Sequence, residues 1–124
     1  MRHRCDHRKL GRTMEHRQAL MRALVCSLFE HGRIVTTVPK AKEARRFAEQ
    51  CITYGKKALL ATDPAQALHY RRLALSALHS PVAVKTLVED VAPKYKERLG
   101  GYTRIMRAGF RLGDNGAKAV FELV

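Results

Sequence analysis

Residues 31–43 read HGRIVTTVPKAKE, and this stretch decides the fold. Gly32 is a helix stop, because glycine takes left-handed backbone past a helix end without a Cβ clash. Residues 33–38, RIVTTV, are short and β-branched, the composition of a strand. Pro39 ends that strand, since it has no N–H for a ladder. Its fixed φ also suits the first turn of a following helix. A strand therefore stands between two helices.

Upstream, Thr13 can cap a helix with Glu15 in its first turn. Leu20, Leu24 and Leu28 recur every four residues, flanked by Met21, Val25 and Phe29, and make a broad apolar face. Downstream, residues 40–61 continue the second helix with Ala44, Phe47, Ala48, Cys51, Ile52 and Leu59 as its buried stripe. Thr62-Asp63-Pro64 and Ser80-Pro81 each combine a cap with a proline start, and so predict two more helices. In the last of these Val84, Leu87, Val88 and Val91 fall on one face, and Pro93 closes it. Residues 94–101 are a basic connector, and YTRIMR (102–107) and AKAVFELV (117–124) are strands around a turn-rich loop. The order is helix, strand, three helices, two strands. It predicts an α+β fold (two-layer α/β), with helices packed on a small mixed sheet. Residues 13–124 form a single globular domain, and residues 1–12 a basic extended arm.

Charge narrows the function. The chain of 124 residues carries 24 Lys+Arg against 11 Asp+Glu, a net charge of +13, which points to a polyanionic partner. No apolar stretch is long enough to span a bilayer. The opening MRHRCDHRKLGR has neither the apolar core of a secretory signal nor the serines and amphipathic pattern of a transit peptide. It also lacks the interleaved apolar residues of a membrane anchor. Three scattered cysteines build no disulfide framework, and Cys26 and Cys51 read as reduced core residues of a cytoplasmic protein.

The cations gather in three places. The opening segment has Arg2, Arg4, Arg8, Lys9 and Arg12; the second-helix start has Arg33, Lys40, Lys42, Arg45 and Arg46; the C-terminal part has Lys94, Lys96, Arg98, Arg104, Arg107 and Arg111. Arginine predominates in the opening segment, and a guanidinium binds phosphate through two parallel hydrogen bonds. Histidines 3, 7, 16 and 31 add donors near these cations. No helix-turn-helix, zinc-finger or basic-heptad pattern is present, and aromatic residues make up only 6%, which disfavours a base-stacking platform. Folded RNA, recognised by shape and phosphate, is the partner these features fit.

The motifs MRHR, KLGR, HGRI-TT-PKAKE and GGYTRI, in this order over essentially the whole chain, resemble the bacterial large-subunit ribosomal protein seventeen family. Cys5-Asp6-His7, Met14-Glu15 and Leu112 depart from its usual pattern. The resemblance implies a structural ribosomal protein that binds large-subunit ribosomal RNA near the polypeptide exit tunnel, beside neighbouring large-subunit proteins. It implies no cofactor, no membrane and no small-molecule substrate. The expected RNA-binding residues are Arg2, His3, Arg4, Arg8, Lys9, Arg12, His16, Arg17, Arg33, Lys40, Lys42 and Arg45. Lys94, Arg98, Tyr102, Arg104 and Arg107 complete the set. For Arg104 the motif favours RNA contact, with pairing to Glu122 as the alternative.

Other classes fit less well. His3, Cys5 and His7 lack paired Cys-x-x-Cys spacing and a fourth ligand, and their cationic neighbours disfavour a metal. GDNG at residues 113–116 lacks the strand and helix of a phosphate-binding loop, and no catalytic constellation is legible. A DNA-architectural or non-ribosomal RNA-binding protein, or a small RNA-modifying enzyme, are the competing classes.

Overall fold

The computed structural model describes Met1 and residues 3–124. Helix α1 spans Met14–His31, capped by the Thr13 hydroxyl, which accepts the His16 N–H at 3.5 Å. Gly32 ends it in left-handed backbone (φ 79°), its N–H donating to the Leu28 carbonyl. Met21, Val25, Leu28 and Phe29 are buried, while Leu20 and Leu24 pack half-buried at the edge of the core.

Strand β1 is Arg33–Thr37 and helix α2 is Val38–Leu60, so the helix begins one residue before the position read from Pro39. Val38 is buried helix, and the proline sits in the first turn. Ala41, Ala44, Ala48, Cys51, Ile52, Gly55 and Ala58 form the inward stripe. Leu59 lies one position off that stripe and is exposed, and Phe47 is half-buried. Burial pushes the Cys51 thiol up to about 12 and raises that of Cys26 as well, which keeps both protonated at neutral pH.

Helix α3 is Pro64–Leu78, with the Asp63 carboxylate accepting the Ala65 N–H at 3.0 Å. Helix α4, Pro81–Thr86, is capped by the Ser80 hydroxyl on the Ala83 N–H at 3.3 Å. The α-helix stops at Thr86, short of the expected end at Pro93, and turns of other pitch carry the chain on. A π-helical turn over Leu87–Val91 follows, then a 3₁₀ turn over Ala92–Tyr95 that contains the proline. The wider turn lets the Ala92 N–H reach the Leu87 carbonyl, five residues back, and buries Leu87, Val88 and Val91 together.

Strands β2 (Thr103–Phe110) and β3 (Ala117–Leu123) complete a sheet of order β1-β3-β2. Both pairs are antiparallel, so the expected mixed sheet is not formed. The reason is topological. A short loop between β2 and β3 permits only a hairpin, and β1, which runs the same way as β2, is kept from it by β3. Strand β2 also runs past the expected Arg107 to Phe110, through a bulge where Gly109 takes φ 79°. Phe121 and Ala119 of β3 face the helices and are buried, with Ile34 and Ile105 beside Phe121 on the flanking strands.

Gly55 is where α2 meets the π-helical turn most closely. A Cβ there would stand 2.9 Å from Leu87 Cγ. Alanine gains about 1 kcal/mol of helix propensity, but overpacking costs about 1–3 kcal/mol. Leu87 is wholly buried, and the atom met is its branching Cγ instead of a free end, so overpacking dominates. Gly55→Ala is expected to lose up to about 2 kcal/mol in urea denaturation; a gain would show that Leu87 can yield.

The opening segment is not solely charge. Leu10 packs against the core cluster, and Arg12 donates to the Leu10 carbonyl at 2.6 Å. Before it, residues 6–8 follow the α1–α2 surface. The Arg8 N–H donates to Glu43 at 3.2 Å, Arg46 pairs with Asp6 at 2.6 Å, and Arg17 reaches the Arg8 carbonyl at 3.4 Å.

Candidate nucleic-acid interface

Three surfaces carry the expected cations. On the first, His3, Arg4, Arg8 and Lys9 are exposed along the N-terminal segment, and His16 is exposed in the first turns of α1. Arg12 and Arg17 are half-buried beneath them. Arg2 lies outside the described residues. Lys42 and Arg45 are exposed on α2, and Arg45 stands 3.7 Å from Glu49 one turn on. Arg46 holds the Asp6 carboxyl below its ordinary value of 3.8, through a side-chain hydrogen bond first and charge second. This clasp is complete at neutral pH and is lost as pH falls through the lowered folded value. Arg46 and Arg22, which also faces this surface, are outside the expected set. Arg22 sits among the leucines of α1, where pattern reading assigns everything to the core.

The second surface is the outward face of the sheet. Directly opposite residues of an antiparallel pair point the same way, and Arg33, Glu122 and Arg104 stand in one row across the three strands. Arg104 Nε donates to Glu122 Oε1 at 2.7 Å, its Nη2 bonds the same oxygen, and Arg33 lies 3.4 Å from Oε2. The pairing with Glu122, the alternative to RNA contact, is thus present, while the Arg104 side chain stays 56% exposed. The carboxylate side chain is only 10% exposed and would be left under-paired without it. Because the Arg104 side chain is 56% exposed, the cost is far below that of a fully buried pair. Arg104→Gln is expected to lose about 1 kcal/mol in chemical denaturation. Arg33→Gln should lose less, its guanidinium being more exposed and farther from the carboxylate. A reduced salt dependence of RNA binding with unaltered stability would place Arg104 on the binding surface.

Below that row, Lys40 at the start of α2, Lys118 of β3 and Arg111 of the hairpin line one concavity with Val35, Thr36 and Thr37. Arg111 is paired with Asp114, whose carboxyl it holds well below the usual range. Arg107, opposite Ala119, is exposed on the other face beside the bulge.

The third surface is the turn before β2, where Lys94 and Arg98 are exposed. Tyr102 does not join them. It is 4% exposed, its ring 5.2 Å from that of Tyr95 and its hydroxyl bonded to Lys56 Nζ at 2.9 Å. An aromatic residue next to glycines at a strand start reads as accessible in sequence. Here it closes the core beneath the connector, and the Arg98 carbonyl receives both the Tyr102 hydroxyl and Lys56.

Among the described residues no group of three His, Cys, Asp or Glu is placed to hold a metal ion, and no helix is long and apolar enough to cross a membrane. The surface offers guanidinium and ammonium groups spread over an α+β body, which suits a scaffold. The chain is 47% identical over its full length to the large ribosomal subunit protein bL17 of Dictyoglomus thermophilum, which it covers completely. It is 49% identical to the bL17 of Bradyrhizobium diazoefficiens and 48% to that of Rhodopseudomonas palustris, covering 84% of each. The relatives define the class, a structural protein of the ribosome. The sequence profile of the family Ribosomal protein L17 matches residues 20–124. The chain belongs to that family, and its relatives are large ribosomal subunit proteins.

Proposed function

We propose that the protein binds and stabilises large-subunit ribosomal RNA near the polypeptide exit tunnel, in contact with neighbouring large-subunit proteins. The observation that carries the RNA reading is the N-terminal segment. Its backbone and Asp6 are tied to α1 and α2, while Arg4, Arg8 and Lys9 remain exposed. Phosphate contacts made by such a segment seat it against folded RNA. Lys42 and Arg45 extend the surface along α2, Arg33 and Lys40 across the sheet edge, and Lys94, Arg98 and Arg107 toward β2. The position near the exit tunnel rests on family likeness.

The test is competition at matched salt between large-subunit ribosomal RNA and double-stranded DNA, with the full chain. Preference for the RNA and a log–log salt slope of several units are expected. Equal affinity for DNA would favour an architectural protein. Density for the chain in a purified large subunit, at a site away from the exit, would overturn the proposed position alone.

A further inference from the structure

Between α1 and α2, with Ala77 of α3 at one end, lies an open cleft of about 380 Å³. That volume is within the roughly 300–1,000 Å³ of sites that take small organic groups. Its chemistry is unusual for a surface that only neutralises phosphate. Met21, buried, and Phe47, half-buried, supply apolar lining, and three guanidinium groups, Arg17, Arg22 and Arg46, stand around them.

Each arginine is held by one partner on the protein. Arg22 Nε donates to the Ala77 carbonyl at 3.0 Å, Arg17 reaches the Arg8 carbonyl, and Arg46 pairs with Asp6. A guanidinium has five N–H donors, so each retains donors for an incoming anion. Glu43 is the one carboxylate in the lining, and it accepts the Arg8 N–H. The amides of Gln18 and Gln50 complete the wall. Gln50 donates to the Tyr54 hydroxyl at 2.8 Å, which leaves its carbonyl oxygen available.

We propose that this cleft receives one unstacked nucleotide of the bound RNA. The base lies against Phe47 and Met21, its edge is met by the two glutamine amides, and its phosphate is held by Arg17, Arg22 and Arg46. A flat apolar group bearing an adjacent anion is what this combination of floor and rim complements, and splayed bases stacked on aromatic side chains are a common means of sequence-specific RNA recognition. The N-terminal segment, through Asp6 and Arg8, borders the cleft, so a strand following that segment would be led to it. The inference rests on the RNA-binding reading above and adds a point of base recognition to it.

The experiment measures binding of the full-length protein and Phe47→Leu to large-subunit ribosomal RNA over a range of salt. Ultraviolet cross-linking of the wild-type complex, with the linked residue found by mass spectrometry, accompanies it. Leucine keeps an apolar side chain against the core but removes the ring. Folded Phe47→Leu is expected to bind about tenfold more weakly with an unchanged salt slope, because a stacked base carries no phosphate charge. Cross-linking should place a nucleotide on Phe47. Wild-type affinity in the folded variant overturns the cleft site while leaving RNA binding in place. If the variant does not fold, the cross-link decides: its absence, or a link from Phe47 to another protein in the assembled subunit, overturns the proposal. Failure of the wild-type chain to bind the RNA would instead remove the broader reading.

Discussion

Leu28→Ala is expected to lower the stability of the fold by about 2–5 kcal/mol, the cost of a large-to-small change that leaves a cavity. Leu28 is 0% exposed, and it belongs to the core cluster that joins α1 to α2 and the sheet. Its carbonyl still receives the Gly32 N–H after truncation, so the effect isolates the side chain. At this chain length the melting temperature should fall by on the order of 10 °C. Leu24→Ala, on the same face but half-buried, should cost clearly less. The check is urea denaturation with the slope compared among the variants. A loss at Leu28 below that at Leu24 would mean that α1 meets the core on a different face.

Removing residues 1–9 is expected to have the largest effect on RNA binding. Arg2, Arg4, Arg8 and Lys9 leave together, and each phosphate no longer neutralised lowers the log–log salt slope by about 0.7–0.9. The slope should therefore fall by about 3 if all four touch phosphate, with affinity at low salt reduced by orders of magnitude. Melting should change little, since the pair between Asp6 and Arg46 is solvent-exposed and such pairs contribute little. Cutting three residues further in is a different experiment. It also removes Leu10, which packs on the core, and Arg12, which closes the turn around it. An equal salt slope before and after the shorter cut would show that the segment does not meet phosphate.

What the sequence makes legible is whatever depends on neighbours along the chain. Thr13, Asp63 and Ser80 all accept hydrogen bonds as helix caps, and Gly32 takes the left-handed stop, because each feature is settled within a few residues. What stays hidden depends on residues far apart. The Arg104–Glu122 half of the row Arg33–Glu122–Arg104 could be named from the short β2–β3 loop, but Arg33 joins it only because β3 lies between β1 and β2, which nothing local to RIVTT reveals. The closeness of Gly55 to Leu87 is invisible for the same reason. Tyr102 misleads because its glycine neighbours suggest an open connector, whereas its ring is needed against Tyr95. In the interface, charge identifies the cationic segments, but not the cleft. Arg22 projects from a helix whose apolar spacing dominates its reading, and only the packing of α3 supplies the carbonyl that holds it.

The position of β3 also orders events during synthesis. The strand made last is the one on which the other two depend. Strand β1 leaves the translating ribosome well before Ala117–Leu123 is polymerised, a delay on the order of seconds at roughly 5–20 residues per second. Throughout that interval its backbone donors and acceptors have no β-partner, although α1 and α2 on either side can already form and pack. The helical layer is thus available as a nascent-chain intermediate, and closure of the sheet waits for β3. Damage to the seven residues of β3 would propagate to both margins of the sheet instead of fraying one.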